Sequence, residues 1–228
     1  MFGTVGCMLD LQWQPSLLGQ TDATGEPSFD ASFGSADRRD LGAGAWLDVI
    51  PGWCTGHDDL FERVLVAGGW QQHEMLMYGE RVAQPRLRAH WGTADLPVGL
   101  AVLHEAVELL SRRYRTALDR VTANLYRDGD DAVAWHGDRE LRDRDRAVVA
   151  VMTLGTARAF HLRPKGGGAS VRLRPQPGDL VVMGGTCQRT WDHAVPRTRR
   201  PVGPRSCIMF RHHPDRPPSL RTPVTEPI

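Results

Sequence analysis

The sequence predicts a mainly β fold, a sandwich or jelly roll with flanking helices, and three observations carry that prediction. Segments of helical periodicity lie in the first half, a series of short β-rich segments fills the second, and Gly- and Pro-containing turns separate them. With 228 residues the chain is long enough for one domain with a sizeable core and too short for two full catalytic domains.

Residues 19–43 are rich in Gly, Ser, Asp and Thr with little apolar periodicity, so residues 1–45 are expected to form a flexible arm. Folding proper is expected to begin near Trp46, with residues 46–118 as a helical buttress and 119–213 as the jelly roll. Within 58–66, Leu60, Phe61, Val64 and Leu65 fall at helical spacing. Pro97 then opens a longer helix with a stripe at Leu100, Leu103, Val107, Leu110 and Tyr114. Both read as core-packing helices. Strands are expected over 121–126, 147–154, 159–162, 171–173, 179–183, 188–193 and 206–211, with turns at Gly166-Gly167-Gly168 and Pro175-Gln176-Pro177-Gly178. Residues 214–228 form a Pro-rich tail expected to fray.

A formal net charge of +1, from 28 basic and 27 acidic residues, excludes a globally basic nucleic-acid coat and leaves room for a local patch. Lys165 is the single lysine, so nearly all the positive charge is guanidinium. Arg197, Arg199, Arg200 and the run Arg211 to His213 are the local candidates for a phosphate track, and a solvated basic loop explains them almost as well. Cys7, Cys54, Cys187 and Cys207 show no paired spacing, and there is neither a secretory signal pattern nor an apolar run of membrane-spanning length. A soluble, cytoplasmic protein with no membrane partner is expected, and a monomer is favoured.

His136-Gly137-Asp138 places an imidazole and a carboxylate two residues apart, where an extended chain presents both to one side. Alone, such a triplet is weak, because it is common by chance. His193, on a later predicted strand, supplies a third ligand of the right type, and two imidazoles with one carboxylate make the facial triad of non-haem Fe(II) oxygenases. Zinc uses similar ligands, so ligand identity leaves the metal open. The other histidines read as surface or satisfied core residues. Arg205 and Arg211 are six apart on a predicted strand, an even separation that puts both guanidiniums on one face with Cys207 and Met209 between them. Two inward cations need an anion, and a small dicarboxylate that also chelates the metal is an adequate one.

Taken in order, Asn124-x-Tyr126, Trp135-His136-x-Asp138-x-Glu140, Thr153-Leu154-Gly155 leading to Phe160, Gly178-Asp179-Leu180 to Gly184-Gly185, His193, and Arg205 with Arg211 resemble the AlkB family of Fe(II)/2-oxoglutarate-dependent dioxygenases, which repair alkylated nucleobases. The similarity runs from about Trp46 to Arg211. It implies a double-stranded β-helix (cupin-like jelly roll) with a nucleotide-recognition lid, and iron held by His136, Asp138 and His193. Arg205 and Tyr126 would then hold the distal carboxylate of 2-oxoglutarate, and Asn124 and Arg211 its chelating end. The implied reaction is oxidative dealkylation of N-alkylated DNA bases of the 1-methyladenine/3-methylcytosine type, with O2 as second cosubstrate and release of formaldehyde, succinate and CO2. Candidates for contact with the nucleotide are Met77, Tyr78, Arg86 and Trp91, with Pro85 and Arg88 beside them, and Glu140 for reading a cationic alkylated base. For the lid residues, an aromatic covering the core or a solvated arginine is close to an even alternative.

The chain departs from the family pattern at Arg139, where an acidic or small polar residue is common, at Cys207, where an asparagine contacts the cosubstrate, and at Trp91, where tyrosine is common. None of these removes a metal ligand. Two alternatives stay open: the same centre oxidising RNA, a protein side chain or a small molecule, and a non-catalytic cupin-like module that uses its metal structurally.

Overall fold

The segment Ala147–Gly155 is buried at every one of its nine positions, so both faces of that strand must be covered. In the structure, a computed structural model describing Leu11, Trp13 and residues 22–77, 79–141 and 146–212, helices cover one face and a second sheet the other. In chain order the first half contains β1 (Ser28–Phe29), β2 (Asp37–Gly42), β3 (Ala45–Ile50), β4 (Cys54–Thr55), α1 (His57–Ala67), β5 (Glu74–Met77), β6 (Glu80–Ala83), β7 (Leu87–Gly92) and α2 (Leu103–Tyr114). The second half contains β8 (Arg120–Tyr126), β9 (Val133–His136), β10 (Ala147–Gly155), β11 (Phe160–Pro164), β12 (Val171–Leu173), β13 (Leu180–Gly185), α3 (Cys187–Thr190), β14 (Trp191–Val195) and β15 (Arg205–Arg211).

A seven-stranded antiparallel sheet in the order β2-β3-β13-β10-β15-β8-β7 faces a four-stranded one in the order β12-β11-β14-β9. This is the jelly roll that the sequence predicts. Its interior is built by period two: on β10, Val148, Ala150, Met152 and Leu154 pack with Leu60, Phe61 and Leu103 on the helix side, while Val149 and Val151 pack between the sheets with Leu162 and Trp191. On β15 the same alternation sends Ile208 and Phe210 to the helices, and Cys207 and Met209 to the interior.

The helix α1 begins one residue before its predicted span and carries Asp58 and Asp59 in its first turn, where the helix dipole favours negative charge. Gly56 precedes it with φ of 61°, and a Cβ there would lie 2.5 Å from the Gly25 carbonyl oxygen, so this close approach requires glycine. The longer predicted helix is split: a 3-10 turn at Val98–Leu100 comes first and α2 starts at Leu103.

Two expectations are corrected. The chain is structured well before Trp46: Phe29 and Phe33 are buried against Trp53, with ring centroids 4.8 and 6.0 Å away, and β2 pairs with β3 at the sheet edge. Single aromatics at long spacing anchor this stretch, which is why no periodicity marked it. The strand expected over 188–193 also divides, because Thr186 O accepts from Thr190 N at 3.0 Å and closes a helical turn before β14. Tyr78, His213 and the tail at 214–228 lie outside the described residues.

Candidate metal centre and cosubstrate cavity

The three expected metal ligands converge. His136 ends β9 and pairs across the ladder with His193 on β14, bringing their rings to a centroid separation of 4.3 Å. Asp138 follows two residues beyond the strand's end, and one ligand atom from each of His136, Asp138 and His193 lies within 4.8 Å of the others. Strand alternation is not what aligns His136 and Asp138. The chain turns at Gly137, where a Cβ would lie 2.5 Å from the Gln188 carbonyl oxygen, and the Asp138 amide donates to Gln188 Oε1 at 2.9 Å. Gln188 is buried on α3, so the turn misread as a strand holds the carboxylate ligand in place.

The protonation states suit a cation. The Nδ1 of His136 lies 2.9 Å from the Ala134 carbonyl, which assigns the proton to Nδ1 and leaves the Nε2 lone pair for the centre. Burial, reinforced by the neighbouring His136, pushes the His193 pKa down to about 3, so this imidazole is neutral. Burial alone would raise the Asp138 pKa, but Arg211, His193, His136 and Arg88 outweigh it and hold the carboxyl below its usual range. Arg211 Nε sits 2.9 Å from Asp138 Oδ2, an ionic contact without hydrogen-bond alignment.

Behind the triad lies a second site. Arg205 is fully buried, donates from Nη2 to Thr153 Oγ1 at 3.2 Å, and has no hydrogen-bond partner at Nε or Nη1. The Tyr126 ring, 5.4 Å from its Cζ, lines the same space, and the cross-strand register pairs Arg205 with Tyr126 and Cys207 with Asn124. The Asn124 Oδ1 is likewise buried without a partner. A buried guanidinium with two open donors is costly unless an acceptor fills the space, and a carboxylate matches its fork. The residues therefore fit the distal carboxylate of a dicarboxylate, as expected for Arg205 and Tyr126. Arg211 differs in that its ionic partner here is Asp138, with Met209 Sδ 3.4 Å from Nη2.

A sequence model of the 2OG-Fe(II) oxygenase superfamily matches residues 48–222. The chain belongs to that superfamily. Its cofactor is Fe(II), its cosubstrates are 2-oxoglutarate and O2, and the chain is an enzyme of that class. The AlkB resemblance is also borne out. The oxygenase is 27% identical over 175 residues to the alpha-ketoglutarate-dependent dioxygenase alkB homolog 3 of Bos taurus, covering 68% of this chain and 60% of the relative. It is 27% identical over 154 residues to the DNA oxidative demethylase ALKBH2 of Mus musculus, covering 59% and 64%. The chain thus spans about three fifths of the length of these curated relatives. Among solved structures, a prolyl hydroxylase from Trichoplax adhaerens, in complex with a hypoxia inducible factor peptide fragment, superposes with a TM-score of 0.56 at 17% identity over 72% of this chain and 82% of that one, a likeness of fold alone.

Of the residues expected to meet a nucleotide, the structure brings some to the mouth of this oxygenase and not others. Glu140 lines a polar cavity with Arg88, Arg120, Asp138 and Arg211, and is ion-paired with Arg120. Arg86 is half-buried with an unpartnered Nε, and Tyr126, Asp131, Cys207 and Arg211 are its titratable neighbours, so it faces the cosubstrate side rather than open solvent. Trp91 is not at the site. On β7 it shares a face with Leu87 and Ala89, and all three are buried in the helix-side core, while Arg88 and His90 take the opposite face. Met77 ends β5 of the β5–β6 hairpin, and its side chain, like Tyr78, lies outside the described residues. Sequence reasoning missed Gln188 and Arg120; applying period two to 87–92 would have exchanged Trp91 for His90.

Proposed function

We propose that this oxygenase removes N-linked alkyl groups from nucleic-acid bases, DNA lesions of the 1-methyladenine/3-methylcytosine type in the first place, with formaldehyde, succinate and CO2 as products. The observation that carries the reading is the buried, partner-seeking Arg205 behind a triad whose His193 imidazole is neutral and whose carboxylate is ionised. Support for a nucleobase substrate comes from the AlkB relatives and from the mouth, where Glu140 offers a carboxylate to a cationic base. His136, Asp138 and His193 would hold Fe(II), and Arg205 with Tyr126 would hold the distal carboxylate of 2-oxoglutarate. Bound Fe(II), with 2-oxoglutarate and O2, supplies the oxidising equivalent that hydroxylates the N-alkyl carbon. The chain's own residues position the centre. Gln188 fixes Asp138, Arg211 keeps its carboxyl ionised, and Phe160, its ring centroid 5.7 Å from that of His193, belongs to the apolar interior with Leu162 and Trp191 that backs the centre. A duplex substrate must first extrude the damaged base, at a cost of a few kcal/mol that is smallest for weakly paired lesions. The described cysteines, Cys54, Cys187 and Cys207, are buried and unpaired, which supports a reducing compartment, the cytoplasm.

Mass spectrometry of single-stranded DNA carrying 1-methyladenine or 3-methylcytosine, incubated with Fe(II), 2-oxoglutarate and ascorbate, tests the reading. Loss of the methyl group with the wild type and not with Asp138→Ala supports it; succinate formed beside an unchanged oligonucleotide would retain the dioxygenase and reject the DNA substrate.

A further inference from the structure

The outer face of the four-stranded sheet carries chemistry that the iron site does not use. Along β11, Phe160 and Leu162 are buried in the barrel, so His161 and Arg163 point outward. Cross-strand register sets Arg172 opposite His161 and Asp192 opposite Arg163. Trp135, on the edge strand β9, joins them: its ring lies 6.3 Å from that of His161, and the Arg163 Cζ sits 4.4 Å from its centroid. Ala194, opposite His161 on the intervening strand, is buried, and its small side chain leaves the indole room to lean across β14.

Among the described residues Trp135 is the one aromatic among the exposed large apolar side chains. Positive charge flanks it: Arg163 lies on the indole and Arg172 is exposed opposite His161. Asp192 lies 3.7 Å from both Arg163 and Lys165, and the Lys165 ammonium also donates to the Gln188 and Arg189 carbonyl oxygens at 3.0 Å, so Arg163 and Arg172 are the cations this face offers a ligand. An exposed indole stacked with guanidinium beside a second exposed arginine is complementary to a polyanion with aromatic bases, and to unpaired bases in particular, since a paired base offers no free π-face.

We propose that this face binds the single-stranded nucleic-acid segment flanking the target nucleotide, one base stacking on Trp135 and Arg163 while a phosphate meets Arg172. The inference rests on the nucleobase reading of the site. The topology supplies the route: Trp135 precedes His136 by one residue and points to the opposite face of an edge strand, so a chain whose target base enters beside His136 rounds the free edge of β9 and lies on Trp135.

The test pairs binding with turnover in the full chain. Anisotropy with a labelled, unmodified single strand of about twelve nucleotides should show Trp135→Ala and Arg163→Glu weakening binding about 5- to 100-fold, with Trp135→Phe retaining most of it. The ratio of kcat/KM for a long methylated strand to that for a methylated trinucleotide should fall by a similar factor in Trp135→Ala. Equal binding by wild type and Trp135→Ala overturns the proposal, as does an equal loss on long and short substrates, which would mark damage to neighbouring His136. Self-association lost in Trp135→Ala while oligonucleotide binding stands would assign the face to a second copy instead. Demethylation of neither substrate, with the binding difference intact, would retain the surface and reject the nucleobase reading.

Discussion

The two faces of the central strands β10 and β15 differ in what they are built from and in what they do. Toward the helices they present Val148, Ala150, Met152, Leu154, Ile208 and Phe210, an uninterrupted apolar surface. Toward the second sheet β15 presents Arg205, Cys207, Met209 and Arg211, a row in which two cations flank two soft side chains. One face lowers the free energy of the fold by removing apolar area from water, while the other holds buried charge at a cost to stability and keeps it for binding. Stability and function are therefore separable by substitution, face by face.

The sharpest test of that separation is Asp138→Ala, which should abolish turnover and lower iron affinity by more than about 100-fold, since even loss of an outer-shell partner costs 10- to 100-fold. Titration of the apo-protein with Fe(II) measures it. On the opposite face, Phe210→Ala should cost about 3–5 kcal/mol in denaturant unfolding and leave the cosubstrate affinity of the folded fraction unchanged. A large change in that affinity would break the separation. Arg205→Met inverts the pattern: unfolding of the apo-protein should be neutral or stabilised by about 1 kcal/mol, because an unpaired buried charge is replaced by an apolar chain, while 2-oxoglutarate binding falls about 10- to 100-fold. Gln188→Leu should weaken iron binding about 10-fold or more, with the two imidazoles unaffected.

The smallest effect is a slope with pH. The folded-state pKa of His193, near 3, lies below its unfolded value of about 6.5, so the unfolded chain binds the extra proton between those limits. The stability contribution is full above about 6.5 and is lost as pH falls toward 3, by up to about 1.4 kcal/mol per pH unit. His73 and His90, also lowered by burial, act in the same direction. Removing His193 as His193→Leu should flatten the apo-protein profile by about one proton's worth, and an unchanged profile would show that His193 takes up its proton in the fold at the same pH as in the unfolded chain.

How far the sequence reveals this division depends on which rule a segment obeys. β8, β10 and β15 are β-rich runs bounded by turn signals, which makes their spans legible, and the strand geometry that sends successive side chains to opposite cores makes the common facing of Arg205 and Arg211 legible too. Trp91 misleads because the motif around it, Pro85-Arg86 to Trp91-Gly92, draws attention to the aromatic, although Leu87, Ala89 and Trp91 share one parity and must go to the core together. The positioning of Asp138 by Gln188 is not legible, since it depends on a single helical turn fifty residues away that local periodicity cannot detect. The strand β2 is polar and almost wholly exposed, and β5 and β6 are only four residues each, so none of them carries an apolar alternation long enough to read.

Arg205 also sets a measure of length. It sits in the floor of the barrel with no exposure to solvent, on a strand bonded on both sides, so it cannot shift toward the triad to meet a shorter guest. A diacid one carbon short would leave its donors unsatisfied, and one a carbon long would be forced against Tyr126 and Thr153. Under the binding mode proposed for Arg205, the cavity would therefore act as a gauge of chain length, favouring one keto diacid over its shorter and longer homologues.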